Sequence, residues 1–180
     1  MSTKKAQALA ELHAGLHSPV EERRDAALKR VASEGELETI AELVRLRGET
    51  DEPRVREEVG KLLRGLKLEG AGTVLMEVAL RPENADQLSD LLGFLWESGG
   101  NADGQLTALS TRAVEMGMPI MVEALTLFEE LPEWCEDEAD LLDAMLILQQ
   151  GLTARQGGNA SAEVEMLKLM LAELMKRERN

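Results

Sequence analysis

Residues 118–152, MPIMVEALTLFEELPEWCEDEADLLDAMLILQQGL, decide the fold of this chain. At 100° per residue, apolar side chains fill a wide arc of the first part, and only Glu123, Thr126 and Glu130 lie on the opposite strip. A helix with so narrow a polar strip needs neighbours on more than one side. The second part opens with a run of acids and becomes apolar from 144 to 148. The stretch therefore predicts two helices with a short proline-containing connection, at the centre of a stack of similar pairs.

The composition also indicates a helical protein. The chain has 180 residues, of which 44% are hydrophobic and 2% aromatic, with no Tyr. Its core must therefore consist of Leu, Ala, Val and Met. Because β-branched and aromatic residues are scarce, this composition favours helices over strands. The length suits one domain with a substantial core.

The pattern of paired helices continues along the rest of the chain, with proline or glycine at the breaks. At an offset of 32 residues, Val31 aligns with Leu63 and Val44 with Met76. A helical pair that repeats every 30 to 35 residues, as here, is typical of an α-solenoid. We predict a single all-α domain over residues 1–180, a right-handed solenoid of about four pairs. Its parts are an N-terminal helix (1–17), helical pairs at 18–48, 51–81, 84–116 and 118–153, and a C-terminal helix (160–179) after a Gly-rich linker.

Two segments of the first half resemble a known family. SPVEERRDAALKRV (18–31) and DEPRVREEVGKLL (51–63) each combine an opening Pro, an Arg, and small and aliphatic residues. They resemble the first helices of HEAT repeats. The resemblance covers residues 18–81, and over 82–152 only the rhythm of helical hairpins continues. It implies a scaffold that binds proteins, with the second helices of the pairs lining a concave face.

The negative charge is concentrated in the second part of the chain. The net charge is −14. Residues 1–67 carry 13 Lys and Arg against 13 acids, whereas residues 68–180 carry 7 against 21. A surface of this sign attracts basic partners and repels nucleic acid and anionic membranes, although acidity can also serve solubility alone. We expect a basic protein partner and no binding to nucleic acid or membrane.

The cellular compartment is predicted from cysteine usage and hydropathy. The single Cys excludes an intramolecular disulfide and fits a reducing compartment. The N-terminal residues contain no continuous apolar run, and no run reaches the length that spans a membrane. We therefore expect a soluble cytoplasmic protein.

Catalytic, metal and cofactor motifs are incomplete in this sequence. His13 and His17 have the spacing of two zinc ligands on one helix, but there is no third histidine. The glycine-rich segment 99–104 has no acid at the first position of a calcium loop. Cys135 lies among acids, which disfavour the thiolate that a nucleophile requires. We predict a protein that is not an enzyme and has no cofactor. The alternatives left open are a metal-dependent enzyme or metal-binding protein that uses carboxylates of the last pair, and a HEAT-like domain that binds nucleic acid through the arginines of the first half.

Polar residues on the second helices of the pairs define the predicted binding surface. In a stack they would form one continuous groove, neutral to acidic, that receives a basic segment. Trp134 lies in the turn before the acidic helix, where it is either a buried plug or an exposed aromatic anchor. The groove residues are Glu38, Glu42, Glu77, Thr107, Thr111, Glu136, Asp140 and Asp143.

The C-terminal helix is more apolar than a terminal helix needs to be. Its apolar residues between Val164 and Met175 span about half of its circumference. It can cap the stack, dock on a partner, or pair with a second copy of the chain. Capping and homodimer formation through this helix are therefore both open.

Overall fold

The computed structural model describes residues 3–132, 137–155 and 161–178. Within these ranges the regular elements are ten α-helices and one 3₁₀ helix, Pro82–Gln87, with no strand, so the all-α prediction is confirmed. The helices are α1 (Thr3–Leu16), α2 (Glu21–Glu34), α3 (Leu37–Glu49), α4 (Pro53–Arg64), α5 (Ala71–Ala79), α6 (Leu88–Glu97), α7 (Leu106–Met116), α8 (Met118–Glu129), α9 (Glu138–Arg155) and α10 (Ser161–Glu178).

The helices pack in two layers. The even-numbered helices form an uninterrupted series in which α2, α4, α6, α8 and α10 each contact the next. Each odd-numbered helix packs on the even-numbered helix that follows it, from α1 on α2 to α9 on α10. Helices α2 and α3, which the sequence pattern groups as one pair, therefore pack mainly on other neighbours: α2 on α1 and α4, and α3 on α1, α4 and α5.

The odd-numbered layer consists of two blocks. Helix α3 contacts α1 and α5, and α7 contacts α9, but α5 and α7 are not closely packed. The connection between α6 and α7 passes over the start of α5, where a Cβ added to Gly72 would lie 3.3 Å from the Cα of Gly100. A hydrogen bond of 3.2 Å from Arg112 Nη2 to the carbonyl oxygen of Leu80 links the two blocks. The layer that carries the predicted groove is thus divided near its middle.

One aliphatic core joins the two layers. It extends from Leu12 in α1 to Leu174 in α10, and the repeat-related residues Val31 and Leu63 are both buried in it. Helix α8 contacts α6, α7 and α10, as its narrow polar strip requires. Each helix is amphipathic and buries its apolar side against neighbouring helices, which accounts for this arrangement.

Helix α10 closes the end of the stack. Its buried residues Leu167, Met170 and Leu174 face α8 and α9. Glu165 and Lys168 are exposed on its outer side, where they form an ion pair of 2.6 Å. The outer side of the helix thus combines charged residues with Leu169, which is 55% exposed, so capping of the stack and pairing with a second copy both stay predictions. In the part of the chain that the structure describes, no helix combines the length and apolar character needed to cross a lipid bilayer.

Candidate functional site

The two histidines of α1 are engaged with α3. His13 Nε2 lies 3.0 Å from Thr39 Oγ1, and His17 Nε2 lies 2.9 Å from Glu42 Oε2. Thr39 is buried at the start of α3, where its hydroxyl also accepts a hydrogen bond from the Glu36 amide. These contacts use the i, i+4 spacing of the histidines to attach α1 to α3, which is a structural role.

Glu42 is the member of the predicted groove with the most side-chain partners. Its Oε2 accepts hydrogen bonds from Arg45 and lies beside His17, and its side chain is about a quarter exposed (27%). Burial raises the pKa of Glu42, but the hydrogen bonds and charges of Arg45 and His17 outweigh burial and hold the pKa below its usual value. Glu42 therefore stabilises the junction of α1 and α3 as an anion.

Glu42 and Arg45 also border a surface cleft of about 790 Å³. The cleft lies between α3, the end of α5 and the 3₁₀ helix, and it is lined by residues from both the neutral part (1–67) and the acidic part (68–180) of the chain. Arg47 crosses beneath it to bond Gln87 and Asp90. The charged lining residues are four arginines (Arg45, Arg47, Arg56, Arg81) and five acids (Glu42, Glu49, Glu83, Asp86, Asp90). Such a balanced lining gives this cleft little net charge.

Asp140 and Thr107, two predicted groove residues, are bonded to each other at the junction of α7 and α9. The two carboxylate oxygens of Asp140 accept hydrogen bonds from the backbone N–H groups of Leu106 (2.7 Å) and Thr107 (2.9 Å). The Thr107 hydroxyl donates to the Asp140 carbonyl oxygen at 3.0 Å. Asp140 therefore caps the N-terminus of α7 from another helix, and this occupies the carboxylate that the sequence assigns to a partner.

A neighbouring acid has a similar role. The side chain of Asp137 accepts a hydrogen bond of 3.0 Å from the backbone amide of Asp140, at the start of α9. Thr111 donates to the carbonyl oxygen of Thr107 within α7. Part of the acidic run and of the polar stripe is thus used to satisfy the backbone groups of helices.

Three predicted groove residues remain at the surface. Glu38, Glu77 and Asp143 are exposed, on α3, α5 and α9, and none takes part in the ion pairs of the described part of the chain. Glu38 and Glu77 belong to one block of the odd-numbered layer, and Asp143 belongs to the other. Trp134 and Glu136 lie outside the described residues.

Trp96 of α6 is an exposed aromatic residue that the prediction centred on Trp134 left out. Its relative exposure is 46%. The sequence pattern indicates this exposure only weakly, because on a helical wheel Trp96 falls at the edge of the buried stripe that contains Leu92 and Leu95. Most of that stripe is covered by α4, α5 and α8, and the indole lies beyond this packing.

Glu123 of α8 lies on the same surface as α6. Its carboxylate oxygen would be 3.8 Å from a Cβ added to Gly93, and it interacts with Ser89. Burial, with a smaller contribution from the charge of Asp90, raises the pKa of Glu123 above its usual value, while the hydrogen bond with Ser89 opposes this. None of the groups that shift the pKa of Glu123 is positively charged, so its carboxylate has no described cation to stabilise it.

A metal site in the described ranges would need a cluster of metal-ligating side chains. No group of three or more His, Cys, Asp or Glu side chains converges there as metal ligands would. Comparisons with protein-family models, with curated proteins and with solved structures gave no match.

Proposed function

We propose that this chain is a HEAT-like, right-handed α-solenoid that acts as a protein-binding module and has no enzymatic activity. Two-layer packing supports the architecture, because each helix contacts the next in its own layer within a block and a helix of the other layer. The repeat-related segments of the first half support the family. The single Cys fits a reducing compartment such as the cytoplasm.

The exposed, unpaired acids of the odd-numbered layer support a basic protein partner. The described basic residues of the C-terminal half are largely used within the chain: Arg155 pairs with Glu163, and Arg177 with Glu173. Arg112 pairs with Glu115 in the same way. Acids such as Glu77 and Asp143 are exposed at the surface and form no ion pair with the basic residues that the structure describes. A basic segment would supply the missing charges, and its association would be accelerated at low ionic strength.

The test is a comparison of charge-reversed variants that preserve the caps. Glu77→Lys and Asp143→Lys reverse two exposed acids on the odd-numbered layer, whereas the control double variant Glu57→Lys/Glu129→Lys makes the same charge change on the even-numbered layer. The wild-type chain should capture basic proteins from native lysate at low salt and release them at high salt. The Glu77→Lys/Asp143→Lys double variant should lose those proteins and the control double variant should retain them. Equal capture by all three proteins would refute the assignment of this surface.

A further inference from the structure

Trp96 lies on an exposed face of α6 that continues onto α8. Ser89, Gly93 and Trp96 share this face of α6, because they lie within about 60° of one another at 100° per residue. Gly93 and Trp96 are one turn apart, about 4.5 Å along the helix axis. Across from Gly93 lies Glu123 of α8, in contact range of Ser89. The face thus combines an aromatic ring, a position without a side chain, and a carboxylate.

The absence of a side chain at position 93 leaves a shallow depression beside the ring. A Cβ built on Gly93 would meet a single atom within 4 Å, the Oε2 of Glu123 at 3.8 Å. The open space is therefore bordered by the Glu123 carboxylate, and Trp96 lies about one helical turn further along the same face of α6. Val122 (44% exposed) extends the apolar part of this surface on α8.

The charges around the depression favour a positively charged occupant. Asp90 and Glu97 of α6 are already paired with Arg47 and Arg64, so Glu123 is the carboxylate left to be neutralised. The same helix shows how it accommodates a guanidinium group: Arg47 and Arg64 lie 5.2 Å and 4.8 Å from the centre of the Phe94 ring. In the described ranges no cation lies over Trp96. Indole is the best of the aromatic partners for such a cation.

We propose that this α6–α8 face docks an arginine-bearing segment of a basic protein, with the guanidinium stacked on Trp96 and paired with Glu123. The planar, weakly hydrated guanidinium suits both contacts better than the ammonium group of Lys. The proposal rests on the proposed function in taking a basic protein as the partner. It places the anchor on the even-numbered layer, away from Glu77 and Asp143.

The experiment uses the full chain with Trp134→Phe, so that Trp96 is the remaining one of its two tryptophans. A labelled hexa-arginine peptide is titrated in, with anisotropy reporting the affinity and indole fluorescence reporting contact with Trp96. A hexa-lysine peptide tests the preference for guanidinium. Glu123→Gln should weaken hexa-arginine binding about fivefold or more. The matched control Glu129→Gln removes the same charge from an exposed site on α8 and should change the affinity less than about twofold.

Each result has a defined meaning. A saturable change in Trp96 fluorescence that is reduced in Glu123→Gln and retained in Glu129→Gln, with weaker binding of hexa-lysine, is the expected result. Equal weakening by the two substitutions, or peptide binding without a fluorescence change, overturns the docking site. A third result is that Glu77→Lys and Asp143→Lys abolish capture of basic proteins while the Trp96 fluorescence does not change on addition of the peptide. This result supports the proposed function and refutes the docking site. A normal Trp96 response with unchanged capture by that double variant supports the docking site and refutes the groove.

Discussion

Asp140 and Asp143 occupy neighbouring turns of the same acidic stripe, yet the structure predicts very different consequences for their removal. Asp140→Ala deletes both acceptors that hold the Leu106 and Thr107 amides of α7. Loss of a helix cap costs about 1–2 kcal/mol, and loss of a negative charge at a helix N-terminus adds about 0.3–1 kcal/mol. We therefore expect Asp140→Ala to lower the free energy of unfolding by about 2 kcal/mol. Asp143→Ala, at an exposed site, should change it by less than about 0.5 kcal/mol.

Urea unfolding followed by far-UV circular dichroism measures both effects as shifts in the midpoint. Asp140→Asn provides the intermediate case, because the amide retains one acceptor oxygen and loses the charge. The expected order of stability is Asp143→Ala, then Asp140→Asn, then Asp140→Ala. If Asp140→Ala and Asp143→Ala were equally stable, the hydrogen bonds between α9 and α7 would contribute nothing to folding, and the structural role assigned to Asp140 would be wrong.

Further predictions concern one partly buried acid, two glycines and one arginine. Because the pKa of Glu123 is raised in the folded state, its contribution to stability is present at low pH and is lost as pH rises through that pKa. Glu123→Gln should therefore raise the melting temperature near pH 7, and this gain should disappear near pH 4. Gly93→Ala should stabilise the chain by about 1 kcal/mol, because the added Cβ has room. Gly151→Ala should destabilise the chain, because its Cβ would lie 2.8 Å from the Val114 side chain. Urea midpoints that move in the same direction for both variants would contradict this prediction. Arg155→Gln should lower the free energy of unfolding by about 2 kcal/mol in the same assay. The reason is that Arg155 Nη2 donates to the Val114 carbonyl oxygen at 2.6 Å and Arg155 Nε pairs with a carboxylate of α10. A decrease under about 0.5 kcal/mol would show that these bonds are dispensable.

The link between α7, α9 and α10 explains why these residues matter to the proposed surfaces. Asp140 and Arg155 lie near opposite ends of α9, and each bonds backbone groups of α7. Gly151 allows α9 to approach Val114 closely between them. A substitution at any of these positions would move Asp143 relative to its neighbours. Binding experiments on the odd-numbered layer therefore need variants that leave this junction intact.

Helix type, number and approximate position were predictable from the sequence because they depend on local patterns. Apolar residues at helical spacing, with proline or glycine at the ends, specify where each helix begins and ends, and the 32-residue offset correctly paired Val31 with Leu63 and Val44 with Met76 as buried positions. The narrow polar strip of residues 118–129 correctly indicated a helix with several neighbours. The predicted helical pair at 84–116 begins instead with a 3₁₀ helix, Pro82–Gln87. The Gln87 side chain at its end donates to the carbonyl oxygen of Val44 in α3, a contact that local sequence does not contain.

The amino-acid sequence by itself thus determined that this protein is an all-α stack with its negative charge in the second half, because amphipathic spacing and charge are properties of the chain alone. Only the tertiary structure decided which acids are available to a partner. Asp140 and Asp143 are alike in residue type and spacing, but one meets the N-terminus of α7 and the other faces solvent. The same holds for Trp96, which is exposed although it borders the buried stripe of α6 that contains Leu92 and Leu95. Whether a carboxylate or an indole is available to a partner depends on its contacts with groups that lie far away in sequence. The positions of those groups follow from the packing of the helices.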